Sequence, residues 1–134
     1  PVMSVGILLV THEDIGAQIV AVCDAICKQR ETPVAMVSVP ADLRPEALGK
    51  HADMIRAAML AQDSGDGLLV LTDVYGATPD NLARYFSTEC NARVVSGINL
   101  PMLLRVLNYA DQSLEQLCQT ALTGGIKGVK TGKQ

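Results

Sequence analysis

Four short apolar runs, separated by segments with helical spacing, most strongly constrain how this 134-residue chain can fold. The first and third runs are nearly continuous in aliphatic residues, which is typical of strands covered on both faces, as parallel strands are. The segments between them are long enough for the crossover helices that parallel strands require. The pattern therefore predicts an α/β fold with one parallel sheet. The predicted strands are residues 3–10, 34–39, 68–72 and 92–96.

Helical periodicity fills the segments between the strands. Ile15, Ile19, Val22 and Ile26 recur on one side of a first helix and predict its buried face, with Asp14 as the N-cap. The apolar faces of the other predicted helices are Leu48, Ala52, Ile55 and Met59; Leu82, Tyr85 and Phe86; Leu103, Val106, Leu107 and Ala110; and Leu114, Leu117, Cys118 and Ala121.

The end of the chain is predicted to change from helix to strand. Ser113 is a candidate cap for the last helix, and Gly124-Gly125 is predicted to end it. Residues 126–129 then form a candidate fifth strand, and residues 131–134 are expected to be disordered. Residues 1–130 are predicted to be a single domain.

The composition favours a single aliphatic core and excludes several classes of protein. The sequence is 49% hydrophobic but only 3% aromatic, and its net charge of −3 comes without a basic stripe, which argues against nucleic-acid binding. No apolar run approaches the roughly 20 residues of a membrane span, and no signal peptide is evident. We therefore expect a cytoplasmic protein without metal, whose cysteines (Cys23, Cys27, Cys90 and Cys118) are reduced.

Three loops are predicted to meet at the carboxyl edge of the sheet, where open α/β folds bind ligands. They carry His12, the segment 73–79, and the segment 99–101. A carboxylate from Asp73 beside the imidazole of His12 would fix its tautomer and leave the other ring nitrogen as a nucleophile. The amides of residues 76–78 and the Thr78 hydroxyl, at a helix start, could bind a phosphate. By spacing alone, Asp73 can equally be a turn residue and Thr78-Pro79 an ordinary helix start.

Three sequence blocks resemble the enzyme IIA domain of the mannose family of the bacterial phosphoenolpyruvate-dependent sugar phosphotransferase system. The most diagnostic is the middle block, because the family has Asp, two variable residues, Gly, a small residue, Ser or Thr, and Pro. The blocks are Gly6-Ile7-Leu8-Leu9-Val10-Thr11-His12, Thr72-Asp73-Val74-Tyr75-Gly76-Ala77-Thr78-Pro79 and Gly97-Ile98-Asn99-Leu100-Pro101-Met102.

The resemblance implies a flavodoxin-like three-layer sandwich of four parallel strands, with the fifth strand antiparallel and exchanged in a homodimer. It implies that His12 accepts a phosphoryl group from the carrier HPr, that Asp73 hydrogen-bonds to its ring, and that a IIB component of a membrane permease is the acceptor. No cofactor is implied. The candidate phosphate or partner contacts are Thr11, Tyr75, Gly76, Ala77, Thr78 and Asn99.

Two departures from the family leave alternatives open. The family usually has Gly after the histidine, whereas this chain has Glu13 and Asp14, whose charge should disfavour the phosphorylated form. No IIB domain follows the domain, so a stand-alone IIA is expected. It could serve a transporter or act as a regulatory phosphorylation sensor that controls partner proteins.

Two other readings of the fold fit the sequence poorly. A nucleotide- or flavin-binding domain is disfavoured because no G-x-G-x-x-G or P-loop follows the first strand. A response-regulator receiver is disfavoured because Thr11-His12 stand where paired acids are expected.

Overall fold

A sheet of four parallel strands forms the centre of the computed structural model, which describes residues 3–28 and 31–133. The strand order is β2-β1-β3-β4, so β1 lies between β2 and β3. This order agrees with the flavodoxin-like fold that the family resemblance implies. The strands are β1 (Gly6–His12), β2 (Val34–Val39), β3 (Leu68–Thr72) and β4 (Ala92–Ser96).

Helices cover both faces of this sheet. Residues from α1, α4 and α5 form one buried cluster with the sheet, and residues from α2 and α3 form the other. The α/β layering is therefore as predicted. The helices are α1 (Ile15–Cys27), α2 (Leu48–Gln62), α3 (Thr78–Ser87), α4 (Leu100–Asn108) and α5 (Leu114–Lys127), with a 3₁₀ turn at Pro45–Ala47 before α2.

Strand β1 shows why the apolar runs are continuous. Ile7 and Leu9 point into the cluster beneath α1, α4 and α5, whereas Leu8 and Val10 point into the cluster beneath α2 and α3. Because successive side chains of a strand face opposite sides, a strand covered on both faces needs an apolar residue at every position.

The predicted buried face of α1 is wrong at three of its four residues, whereas the fourth, Ile19, packs against the buried cluster. Ile15, Val22 and Ile26 are between 43% and 56% exposed, and the residues that α1 buries are instead Gly16, Val20 and Cys23. A Cβ at Gly16 would lie 3.0 Å from Thr11 Oγ1. The missing side chain therefore lets α1 approach β1 closely along the side that carries Gly16, which turns part of the isoleucine stripe outward.

The predicted helix end and fifth strand are also wrong. Helix α5 begins after the Ser113 cap, as predicted, but continues through Gly124 and Gly125 to Lys127. A Cβ at Gly124 would lie 2.7 Å from Arg105 Cβ. The glycines therefore serve the close packing of α5 on α4, and the start of the predicted 126–129 strand is helical.

The structure also bears on membrane spans, metal sites, the cysteines and the C-terminal tail. Among the described residues, no helix is long and apolar enough to cross a membrane, and no cluster of side chains could hold a metal ion. The four cysteines form no disulfide within the described part of the chain, and burial raises the pKa of the Cys90 and Cys118 thiols. The predicted disordered tail ends at Gln134, which lies outside the described residues.

A candidate active site at the carboxyl edge of the sheet

The imidazole of His12 and the carboxylate of Asp73 meet where β1 and β3 end. His12 is the last residue of β1, and Asp73 directly follows β3, its neighbour in the sheet. Asp73 Oδ2 lies 2.8 Å from His12 Nδ1 and also accepts a hydrogen bond from the His12 backbone amide at 3.0 Å. A carboxylate at this position accepts the Nδ1 proton and leaves Nε2 as the ring nitrogen with a free electron pair.

The Asp73 carboxylate is itself held in place. Its second oxygen, Oδ1, accepts a hydrogen bond from the Val74 amide at 3.1 Å. The side chains of His12 and Asp73 are 23% and 10% exposed, so the pair is mostly buried but still reachable from solvent. Because both Asp73 oxygens have fixed donors, the imidazole has one preferred orientation.

The turn after His12 places its two acidic residues differently from each other. Glu13 has a positive φ of 46°, which is uncommon for a residue with a side chain. Its amide donates to Val39 O at 2.8 Å, and its carboxylate accepts from the Ala41 amide at 3.1 Å. The Glu13 carboxylate is thus directed to the loop after β2.

Asp14 occupies the N-cap position of α1, but its side chain makes no capping hydrogen bond, contrary to the prediction. The hydroxyl of Thr11 takes that role from the strand by accepting from the Gly16 amide at 2.9 Å. Asp14 is exposed, so its charge stays in water beside the site.

Two of the predicted contact residues hold secondary structure together. Thr11 is buried, and its hydroxyl is engaged by Gly16. The Asn99 side chain accepts from the Met102 amide at 2.9 Å, which caps α4, and donates to Gly125 O at 3.2 Å. The polar atoms of Thr11 and Asn99 are therefore occupied by the backbone of their own fold.

The loop between β3 and α3 presents the start of a helix. Gly76 has a φ of 87°, a conformation that glycine adopts without strain, and its amide donates to Asp80 Oδ2 at 3.1 Å. Ala77 is the N-cap of α3 and Thr78 its first residue. The amides of Ala77 and Thr78 and the Thr78 hydroxyl have no hydrogen-bond partner within residues 3–28 and 31–133. Such groups at a helix N-terminus can bind an anion.

Asp80 was not predicted from the sequence, although it organises this loop. It is fully buried, and its Oδ1 accepts from the hydroxyls of Thr72 at 2.6 Å and Ser96 at 2.8 Å. Its Oδ2 accepts from the Gly76 amide and, at 2.9 Å, from Arg84 Nε. Burial alone would raise the pKa of Asp80, but these four hydrogen bonds together hold it below its ordinary value.

One sequence signal could have identified this network. Asp80 and Arg84 are four residues apart in a predicted helix, which is the spacing of an ion pair on one helix face. Thr72 and Ser96 are hydroxyl residues that end two otherwise apolar strands. An acid in the first turn of a helix is nevertheless common at the surface, so its burial depended on the packing of α3 against β3 and β4.

Arg84 connects the buried hydrogen bonds of Asp80 to a residue on the surface, Tyr75. Its Nη2 donates to Ser96 Oγ at 2.6 Å, and its guanidinium carbon lies 4.9 Å from the centre of the Tyr75 ring. The Tyr75 side chain is 74% exposed. An exposed aromatic ring therefore lies two residues after Asp73, stacked on a fixed cation.

The fold is shared with known IIA proteins. The structure has a TM-score of 0.80 to the mannose/sorbose-specific IIA subunit of the phosphotransferase system from Enterococcus faecalis, at 24% identity over 98% of this chain and 97% of that one. For the phosphotransferase system component EIIA from Streptococcus agalactiae, the TM-score is 0.79 at 23% identity over 95% and 96%. For the PTS IIA protein associated with the fucose utilization operon from Streptococcus pneumoniae, it is 0.76 at 18% identity over 99% and 96%.

Sequence comparison gives the family. A search of curated proteins found no match. Residues 6–122, however, match the EIIA-man family, described as the PTS system fructose IIA component. That match spans most of the chain, including both strands that carry the His12–Asp73 pair. The chain therefore belongs to the EIIA-man family of IIA components of the phosphotransferase system.

Proposed function

We propose that this protein is a phosphocarrier in which His12 accepts a phosphoryl group from the phosphohistidine of HPr and passes it to a IIB component. The observation that carries the proposal is the 2.8 Å contact between Asp73 Oδ2 and His12 Nδ1. It gives a partly exposed imidazole the orientation that a nucleophile needs.

In the proposed transfer, His12 Nε2 attacks the phosphorus atom of the donor phosphohistidine. A new N–P bond forms as the donor's N–P bond breaks, and that bond's electron pair returns to the donor imidazole. The His12 ring becomes positively charged, and its Nδ1 proton stays on the hydrogen bond to Asp73. Asp73 therefore stabilises charge that develops during the transfer, and the reverse sequence delivers the group to the acceptor.

The start of α3 is the proposed binding site for the phosphoryl oxygens. Helix α3 begins at Thr78, shortly after β3 ends at Thr72, and β3 pairs in parallel with β1, so the N-terminus of α3 follows the same carboxyl edge of the sheet at which His12 ends β1. The Ala77 and Thr78 amides and the Thr78 hydroxyl would donate to the phosphoryl oxygens. No Lys or Arg side chain pairs with His12 or Asp73 among the described residues. Transfer would rest on positioning and on neutral hydrogen-bond donors. Such donors bind the phosphoryl group less tightly than a fixed cation would, so the group can be passed on to the acceptor.

The proposal is tested with purified enzyme I, HPr and phosphoenolpyruvate carrying labelled phosphate. We expect one acid-labile phosphoryl group per chain, and none on a His12→Ala variant. Labelling of His12→Ala to the wild-type level would contradict the assignment. Subsequent transfer to a IIB component would identify a carrier, whereas phosphorylation-dependent binding of another protein without transfer would identify the regulatory sensor.

Asp73→Asn tests the orienting role separately. The variant keeps the size of the side chain but loses the charge, and we expect the phosphorylation rate to fall about 100-fold, the size typical of a misoriented reacting group. Asp63→Asn is the matched control, because Asp63 accepts amide hydrogen bonds from Gly65 and Gly67 away from the site. Equal rates for the two variants would contradict the role of Asp73.

The homodimer stays a prediction. Light scattering of the purified chain measures it directly, and a mass equal to one chain at all concentrations would contradict it.

A further inference from the structure

We propose that Asp80 and Arg84 are positioning residues for phosphoryl transfer, which hold Tyr75 as a rigid docking contact for the phosphoryl donor. This inference rests on the proposed function, because it assigns part of the partner surface of the same site. It concerns a pair of residues whose hydrogen bonds go to residues other than His12 and Asp73.

Asp80 is a carboxylate buried beneath the loop that carries Tyr75. A carboxylate removed from water is costly unless its oxygens are fully hydrogen-bonded. Asp80 meets this condition with four donors drawn from β3, β4, the β3–α3 loop and α3 itself. The donor set fixes where those elements lie relative to one another.

Arg84 is held in place by two hydrogen bonds. Its Nε donates to Asp80 and its Nη2 donates to Ser96, so two of its nitrogens have fixed acceptors. A planar guanidinium held at two points has little freedom to rotate. Arg84 is therefore a fixed cation at the edge of the loop, although part of its side chain is exposed.

The Tyr75 ring packs on the Arg84 guanidinium. It lies 4.9 Å from the Arg84 guanidinium, within the range of a cation–π contact, and its free edge is in solvent. The ring has a fixed support on one side because Arg84 itself is fixed. The Gly76–Asp80 hydrogen bond holds the next residue of the same loop at its positive φ.

Together these contacts describe a preorganised docking residue. Tyr and Arg often dominate the binding energy of protein interfaces, and a side chain already ordered before binding loses less entropy on contact. Tyr75 is exposed and lies two residues after Asp73, in the loop whose carboxylate holds the His12 ring, so we infer that a donor whose phosphohistidine reaches His12 contacts this loop. Val74, the residue before Tyr75, is half exposed and extends this apolar surface. We therefore expect the donor to have apolar side chains around its histidine.

The test measures phosphorylation by phospho-HPr as separate KM and kcat values. For Tyr75→Ala and for Arg84→Gln we expect KM to rise about fivefold to tenfold with kcat within about twofold, because lost preorganisation weakens docking and not the chemical step. The double variant should be no worse than Tyr75→Ala alone, since Arg84 acts through the ring. Arg84→Lys should remain impaired, because an ammonium cannot reproduce the two-point guanidinium contact.

Matched controls come from the same helix layer. Tyr85 is 68% exposed but packs against Phe86, and Arg56 forms an ion pair with Glu89 at 2.9 Å, the same distance as Arg84 to Asp80. Tyr85→Ala and Arg56→Gln should leave KM unchanged. Asp80→Asn should raise KM as Arg84→Gln does, provided that its circular dichroism spectrum shows it folded.

Three results would overturn the inference. They are an unchanged KM for Arg84→Gln, KM effects of Tyr75→Ala and Arg84→Gln that multiply in the double variant, or a loss confined to kcat. A wild-type protein that gains no phosphoryl group would instead reject the proposed function, so the two failures are distinguishable.

Discussion

The two turns that build the site are supported in different ways. In the turn from β3 to α3, the buried Asp80 receives four hydrogen bonds, which connect β3, β4 and α3 with the loop between β3 and α3. In the turn from β1 to α1, Glu13 has a positive φ and Asp14 caps nothing. One turn is fixed by a buried network, and the other is largely exposed.

The comparison shows how the reacting histidine obtains its orientation. His12 belongs to the exposed turn, but the carboxylate that holds its ring comes from the buried one. A strand end beside an exposed turn can receive a partner, whereas the orienting group needs a rigid base. The precision of the site therefore depends on the β3–α3 turn, and its accessibility on the β1–α1 turn.

The largest expected effect is on stability, from Asp80→Ala. Removing the carboxylate leaves Arg84 without its main partner and the Thr72 hydroxyl and Gly76 amide without acceptors. We expect the free energy of unfolding to fall by about 3 kcal/mol, the size typical of breaking a buried charge pair.

Asp14→Ala is the control in the other turn, and urea denaturation measures both variants. Because the Asp14 side chain makes no capping bond, we expect a change within about 0.5 kcal/mol. If Asp80→Ala and Asp14→Ala lower the free energy of unfolding by similar amounts, the β3–α3 turn is not more strongly supported than the β1–α1 turn.

Acid should remove the stability that Asp80 contributes to the buried turn. Asp80 has a lowered pKa in the folded protein, so its contribution to stability is fully present above about pH 4, the ordinary carboxyl value. That contribution is lost as the pH falls through the lowered pKa. Denaturant unfolding between pH 7 and pH 2 measures the slope, which should be smaller in Asp80→Asn. Identical slopes for wild type and Asp80→Asn would show that other carboxylates dominate.

A smaller loss is expected where Thr11 caps α1. Thr11→Val keeps the shape of the side chain but leaves the buried Gly16 amide without its acceptor. We expect the free energy of unfolding to fall by about 1 kcal/mol. Thr88→Val is the control, because its hydroxyl bonds to Tyr85 O at an exposed position. If Thr11→Val costs no more than Thr88→Val, the cap is not made by Thr11.

The smallest effect is expected at Glu13, and it has the opposite sign. Glu13→Gly removes the side chain from a residue with positive φ, which should stabilise the protein by up to about 1 kcal/mol despite the loss of the hydrogen bond from Ala41. It also removes a negative charge beside a group that gains negative charge. The phosphorylated fraction at equilibrium should therefore rise by about twofold.

Lys28→Gly separates these two effects. Lys28 also has a positive φ, of 50°, but lies at the other end of α1. We expect a similar gain in stability on thermal unfolding and no change in the phosphorylated fraction. A rise in that fraction for both variants would mean that stability, and not the charge of Glu13, controls it.

Much of the site could be predicted because its key pair depends on topology. Because His12 ends β1 and Asp73 directly follows β3, the order of the parallel strands brings them to one edge, and the family resemblance gave their roles. Thr11 and Asn99 could be located but not interpreted. Their hydroxyl and amide groups bind the backbone of α1 and of α4 and α5, and such contacts depend on how the helices pack.

The sequence by itself determined the order of strands and helices and the two residues that form the proposed catalytic pair. The order of the elements follows from local periodicity and chain connectivity, which require no knowledge of distant contacts, whereas the roles of His12 and Asp73 are implied by the family resemblance. Only the tertiary structure decided which face of α1 is buried, that Gly124 and Gly125 lie inside α5, and that Asp80 is buried. These three features have one physical reason in common. Each depends on how closely two elements approach, and that distance is set by residues far apart in the chain, such as Gly16 against Thr11 and Gly124 against Arg105.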